Sequence, residues 1–421
     1  MAKILIKNGK LLDPASKTEK FADLLINNGR IEKIGKNLKA SGAKLIDAKG
    51  CWVMPGLVDM HVHLRDPGNP EEETIASGTA AAAAGGVTTV ACMANTDPVI
   101  DTPEMVRYVA TQAKSQAKVR VFPIGAATRN LEGKLLTEMG SMLKEGAIAF
   151  SDDGRWIVDA SVMRHALEYL RPFNRPLISH AEDYTLSHKG QMNESLLSTK
   201  MGLKGIPKLA EETAVSRDIA LAQEFGWVHI AHVSCAGSVK LIRAAKKKGI
   251  KITAETAPHY FILTQDAVEN YNTMAKVNPP LREKEDVAEI IKGLKDGTID
   301  VIATDHAPHL MDEKNIEFEL AATGLVGLET LLALVNTYLI EKQGFPVLLA
   351  LSKVTNNPAK ILNLPFGILQ EGAAADVVVF DPKKEWEVDP AKFKTRSRNT
   401  PFAGMTVKGK VLHTIVNGQL V

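Results

Sequence analysis

From residue 53 to about 360 the chain alternates short apolar runs with helical segments, and this alternation restricts the fold more than any other feature. Runs of that kind read as parallel strands that return through crossover helices. Eight candidate strands can be counted: Val53–His61, Val87–Met93, Val119–Ile124, Ala147–Ser151, Pro176–His180, Val228–His232, Ile250–Ala254 and Asp300–Thr304. The segments between them carry helix-end signals, such as Asp101-Thr102-Pro103 ahead of 104–116, and Ser238 opening a helix closed by Lys246–Lys248 and Gly249. Eight strand-helix units over about 300 residues predict a TIM (β/α)8 barrel.

The two ends have a different texture. Asn8-Gly9, Asn28-Gly29 and Asn417-Gly418 punctuate short β-type runs such as Ile4–Ile6, Asp23–Ile26, Ile31–Ile34, Asp376–Phe380 and Val411–Ile415. Asn-Gly between alternating apolar runs is a strong hairpin signal. The expected organisation is a barrel over 53–360 and one small β-sandwich domain built from both termini, 1–52 and 361–421.

Composition narrows the partners. With 45% hydrophobic and 24% charged residues over 421 positions, disorder, collagen and coiled coil are excluded. Lys and Arg number 51 against 49 Asp and Glu, so no global field recruits nucleic acid or an anionic membrane. Lys246–Lys248 reads as a solvated, dipole-complementing helix end. No apolar run reaches the roughly 18–20 residues of a membrane span, and the N-terminus has no signal-peptide core. Cys51, Cys92 and Cys235 lack CxxC spacing, which argues against disulfides or a thiolate zinc site and for a reducing compartment. An unprocessed cytoplasmic protein acting on a small molecule is expected.

Polar residues gather where the apolar runs end, the edge at which a barrel carries its active site. The first strand ends in Asp59-Met60-His61-Val62-His63-Leu64-Arg65, and period-two geometry sets His61 and His63 on one face about 6–7 Å apart. Later ends supply Asp152-Asp153, His180, His232 and Asp305. Four imidazoles with two carboxylates suit zinc or another divalent transition metal, and six ligands suggest two ions. His259 also ends a strand, but the other six already complete a binuclear set. His165, His188, His229 and His413 read as structural. Arg65 beside the histidine pair could hold a substrate carboxylate, and Asn95 and Asn278 are rim amides able to touch substrate.

Asp59-Met60-His61-Val62-His63-Leu64-Arg65-Asp66-Pro67-Gly68 and Ala303-Thr304-Asp305-His306-Ala307-Pro308-His309, followed by Lys314, resemble the dihydroorotases among the cyclic amidohydrolases over the whole chain. Hydantoinases and allantoinases share the histidines but generally not both flanking patterns. The resemblance implies zinc-dependent, reversible hydrolysis of dihydroorotate to N-carbamoyl-aspartate in pyrimidine biosynthesis. It makes His61 and His63 ligands of one zinc, His180 and His232 ligands of a second, and Asp305 both ligand and proton shuttle. Arg65, Asn95 and His309 would hold the substrate carboxylate, with Asn278 lining the same pocket. Strand four has no lysine to carboxylate, as in the long bacterial branch where an aspartate bridges the metals, and that branch favours Asp153 over Asp152. A homodimer, and a complex with aspartate transcarbamoylase, are the partners to expect. Ala94 and the segment Ala321-Ala322-Thr323-Gly324 lack prolines usual in the family, which bears on loop rigidity.

Overall fold

The computed structural model describes residues 3–421. Eight apolar runs form parallel strands: β1 (Leu57–Val62), β2 (Val87–Cys92), β3 (Arg120–Pro123), β4 (Phe150–Ser151), β5 (Leu177–Ser179), β6 (Val228–Ile230), β7 (Ile252–Thr256) and β8 (Val301–Ile302). Neighbours pair from β1 to β3 and from β4 to β8. Two seams close the ring. Gly125 bridges Phe150 between β3 and β4, and Val62 bridges His306 beyond β8, where His63 N donates to His306 O at 2.8 Å. Met60, Ala91, Ile124, Ala149, Ile178, Ala231 and Val301 come from seven strands or their flanks and form one buried cluster, which a closed cylinder permits only at its axis. The expected TIM barrel is therefore present.

Helices cover the outside, and their starts show what local sequence can and cannot carry. Thr102 caps Pro103–Gln116 as expected, its Oγ1 accepting from Met105 N at 3.3 Å. The helix expected from Ser238 begins earlier, at Ala236, because Ala236 N donates to Asp286 Oδ1 at 2.9 Å. That capping carboxylate comes from 50 residues away along the chain and leaves no local signal.

The first expected strand, Val53–His61, divides in two. Trp52–Pro55 pairs with Lys10–Asp13 and Val377–Glu387, outside the barrel, before Leu57–Val62 enters it. Gly56 makes the changeover: a Cβ there would lie 2.1 Å from Thr88 Oγ1. No other residue fits without moving β2.

Both chain ends build the second domain. One sheet runs in the order Gln419–Leu420, Thr406–Val416, Val377–Glu387, Trp52–Pro55, Lys10–Asp13, Thr18–Phe21, and the other runs Arg30–Gly35, Asp23–Asn27, Ile4–Lys7, Lys44–Asp47. Ile4, Ile6, Leu24, Ile26, Val53, Val377, Val379 and Ile415 alternate along these strands into one shared core, which makes the pair of sheets a sandwich.

Between its last long strands the chain returns to the barrel rim. Buried Asn399 donates from Nδ2 to Ala307 O at 3.0 Å and Gly324 O at 3.1 Å, and accepts from His309 N at 3.2 Å. Thr395 Oγ1 donates to Glu73, and Ser397 Oγ to Glu72 O at 2.8 Å. Among the described residues no helix is long and apolar enough to cross a membrane.

Candidate active site

The strand ends bring all six expected ligand residues together. Asp153 stands at the centre: Oδ1 lies 3.4 Å from His61 Nε2 and 3.7 Å from both His180 Nδ1 and His232 Nε2, while Oδ2 lies 3.5 Å from His63 Nε2. Asp305 Oδ1 is 3.2 Å from His63 Nε2 and 3.4 Å from His61 Nε2. His180 Nδ1 and His232 Nε2 are 2.8 Å apart. Asp152 points elsewhere, accepting from Ala127 N and Thr128 N at 2.9 Å each and from Thr128 Oγ1. Of the two adjacent aspartates, only Asp153 faces the histidines.

Charge is concentrated here among largely buried groups. Burial would raise the Asp305 carboxyl, but His61 and His63 beside it hold it well below the usual carboxylate range. Asp153 is likewise held low against its burial, by His61, His180 and His232. His61 Nε2, Asp153 Oδ1 and His232 Nδ1 are buried and have no hydrogen-bond partner. Buried polar atoms left unpaired in a native site call for something that satisfies them. His61, Asp153 and His232 form one group of ligand atoms within 4.8 Å of one another, and His61, His63 and Asp305 form another. Imidazole nitrogen with carboxylate oxygen is a donor set that fits a divalent metal.

A surrounding layer fixes the rings, and sequence reasoning passed over most of it. Glu255 accepts from His61 Nδ1 at 2.6 Å and lies 3.3 Å from His229 Nε2. Burial works against its charge, yet those two imidazoles hold it at about 2. His229, read as structural, thus lies directly beneath the site. Glu182 sits 3.3 Å from His180 Nε2 and accepts from Asn278 Nδ2 at 2.8 Å. Both glutamates were visible as carboxylates at the end of apolar runs, but neither followed a His-x-His or Asp-His signature. His259 is buried with neither ring nitrogen partnered, and burial pushes its pKa down to about 4.

Above the cluster opens a cavity of about 510 Å³ lined by Arg65, Asn95, Asn278 and His309 among others. Asn95 Oδ1 lies 2.8 Å from His63 Nδ1, so this amide also orients a cluster histidine. Arg65 Nε is 2.8 Å from Glu72 Oε2 and donates to Pro308 O at 3.2 Å, while Nη2 lies 3.2 Å from His309 Nε2. Nη1 makes no hydrogen bond among the described residues, which leaves one guanidinium corner for a ligand. Arg65, His232 and Asp305 have φ of 55°, 32° and 50°, the left-handed region that side-chain-bearing residues seldom occupy. Strain of this kind concentrates where a site demands one direction of a side chain.

Fold and site together define an amidohydrolase, and the chain belongs to that family: the amidohydrolase family model matches residues 52–421. Dihydroorotase of Syntrophus aciditrophicus (strain SB) is 50% identical over 422 residues, covering 100% of this chain and 99% of that one. Dihydroorotase of Pelotomaculum thermopropionicum (strain DSM 13744 / JCM 10971 / SI) is 51% identical over 420 residues, covering 100% and 98%. Within the amidohydrolases the chain thus falls among the dihydroorotases. Of solved structures, the L-hydantoinase (dihydropyrimidinase) from Arthrobacter aurescens superposes with a TM-score of 0.89 at 26% identity, covering 100% of this chain and 96% of that one. Dihydropyrimidinase from Brevibacillus agri NCHU1002 shares the fold, with a TM-score of 0.87 at 24% identity over 100% of this chain and 95% of that one.

Proposed function

We propose that this chain is a dihydroorotase, catalysing reversible hydrolysis of the cyclic amide of dihydroorotate to N-carbamoyl-aspartate in de novo pyrimidine (UMP) synthesis. The observation that carries the reading is Arg65, a guanidinium with one free corner, on the wall of a cavity whose floor is a histidine-carboxylate cluster. A substrate that couples a ring amide to a carboxylate uses both parts. His61, His63, His180, His232, Asp153 and Asp305 would hold the metal, two zinc ions. Zinc in this setting polarises a carbonyl and acidifies water.

The chain's own groups supply the rest. Arg65, His309 and the Asn95 amide orient the substrate carboxylate, and Asn278 lines the same pocket. Asp305, ionised and beside both His61 and His63, accepts the proton of the attacking water. It returns that proton to the ring nitrogen as the C–N bond breaks, so the nitrogen leaves as the NH2 of the carbamoyl group. Cyclisation runs the same path backwards. Location in the cytoplasm, a homodimer, and a complex with aspartate transcarbamoylase complete the reading, and light scattering with and without that partner tests the assembly.

Dihydroorotate against neutral rings is the discriminating assay. A charge-assisted contact left without its partner costs about 2–5 kcal/mol, or about 30- to 5000-fold. Dihydroorotate is therefore expected to exceed dihydrouracil in kcat/KM by at least about 30-fold, and Arg65→Met to erase most of that preference with metal still bound. Equal turnover of allantoin or a neutral hydantoin by the wild-type enzyme would replace this reading with a broader cyclic amidohydrolase. Glu255→Gln tests the layer beneath: it keeps the shape but removes the charge that orients His61, and zinc affinity is expected to fall about 10- to 100-fold in a chelator competition.

A further inference from the structure

Two lysines behind one wall of the cavity are buried, and neither is paired with a carboxylate among the described residues. Lys276 and Lys314 are 5% and 0% exposed. Lys276 Nζ donates to Phe318 O at 2.6 Å, Ala321 O at 2.8 Å and Glu319 O at 3.1 Å. Lys314 Nζ donates to Ala322 O at 2.7 Å, Gly324 O at 3.1 Å and Lys276 O at 3.4 Å. Every N–H of both ammonium groups is thereby given to a backbone carbonyl, five of them from the single irregular segment 318–324.

We propose that Lys276 and Lys314 are positioning residues that set the outer wall of the substrate cavity by gathering the carbonyls of segment 318–324, a role that rests on the dihydroorotate reading above. An irregular segment with buried carbonyls needs donors from elsewhere. Lysine suits the task, because –NH3+ offers three rotatable donors at the end of a thin apolar stem. The segment has few bonds of its own: Leu320 N and Ala321 N to Glu317 O, and Ala322 N to Glu313 O, each at 2.9 Å. Gathered this way, it presents Glu319, Ala321, Thr323 and Gly324 to the cavity.

The wall in turn seats a residue of the carboxylate pocket. Thr323 O lies 3.1 Å from His309 Nε2, and Gly324 N donates to Lys276 O at 3.0 Å. Gly324, at φ 141°, packs so closely that a Cβ would stand 2.6 Å from Ala307 Cβ. Burial pulls both ammonium groups down, Lys276 to about 8 and Lys314, with Lys276 adding to the effect, to about 7. Buried cations of this kind are costly where packing alone is wanted, since a Met of similar length would fill the space without desolvating a charge.

The test compares the wild-type enzyme with Lys314→Met and Lys276→Met, by hydrogen exchange of peptides covering 318–324 and by dihydroorotate kinetics at measured metal content. Each variant is expected to exchange at least about tenfold faster in that segment, to leave barrel-strand peptides and metal content as in the wild type, and to raise KM at least about tenfold while kcat stays within about threefold. Lys314→Gln, which keeps two donors, should fall between, and it takes the place of a methionine variant that does not fold. Unchanged exchange in the segment, exchange loosened across the whole barrel, or a loosened segment with wild-type KM would each overturn the proposal. A wild-type enzyme inactive on dihydroorotate would count against the substrate reading alone, and the exchange result would still decide whether the lysines hold the segment.

Discussion

Asp305→Asn should bind dihydroorotate yet turn it over about a hundred- to ten-thousandfold more slowly, the span that general acid-base catalysis contributes. The amide keeps the size of the carboxylate and one oxygen toward His63, so the substrate pocket should stay intact. What it cannot do is accept a proton from water or hand one to the ring nitrogen. Asp305 is ionised in this site because His61 and His63 flank it at 3.4 and 3.2 Å, so the wild-type group is ready as a base at neutral pH. Measuring kcat together with the affinity of N-carbamoyl-aspartate separates the proton role from binding. A kcat near that of the wild type would move the proton to another group.

Asp153→Ala and Asp152→Ala should fail in different ways. Asp153 touches all four cluster histidines, so its loss is expected to lower bound metal and to reduce rate at least about a thousandfold, as a site stripped of its ion loses several kcal/mol of catalysis. Asp152 ties Ala127 N, Thr128 N and the Thr128 hydroxyl to the end of β4. Its removal leaves these three buried donors unpaired, at about 1–3 kcal/mol for each such group, so stability to urea should fall by at least about 3 kcal/mol with metal content near normal. Because Asp153 and no lysine faces the histidines from the end of β4, added bicarbonate should leave activity unchanged. The reverse ranking in metal content would move the bridge to Asp152.

The barrel and the metal-type cluster were readable because both obey local rules. Apolar runs end where the cylinder ends, so His61, His63, His180, His232, Asp305 and the pair Asp152-Asp153 could be collected by position, while the preference for Asp153 came from the family resemblance. Arg65 was equally visible, but its Glu72 partner was not, since that pairing depends on a loop that returns to the rim. Glu255 and Glu182 escaped for a similar reason: each acts through a histidine from another strand, and no spacing in sequence records that contact. The break at Gly56 was hidden because strand propensity continues on both sides of it, and only the nearness of Thr88 forces the turn. The missing prolines of Ala321–Gly324 drew notice to loop rigidity, but the two lysines that bind this segment target carbonyls, which side-chain patterns do not reveal.

Asn399 gives the molecule a timetable. This residue ties Ala307, His309 and Gly324 together at the rim, yet it lies far beyond the last barrel strand, Val301–Ile302, along the chain. Chains emerge from the ribosome N-terminal end first, so every strand of the barrel is made before its rim can be fastened. A nascent chain that stops short of Asn399 could close the cylinder and still lack the brace on His309. Competence for catalysis then waits on a residue made after the whole barrel, and a product truncated before Asn399 would carry the cluster without a finished pocket to serve it.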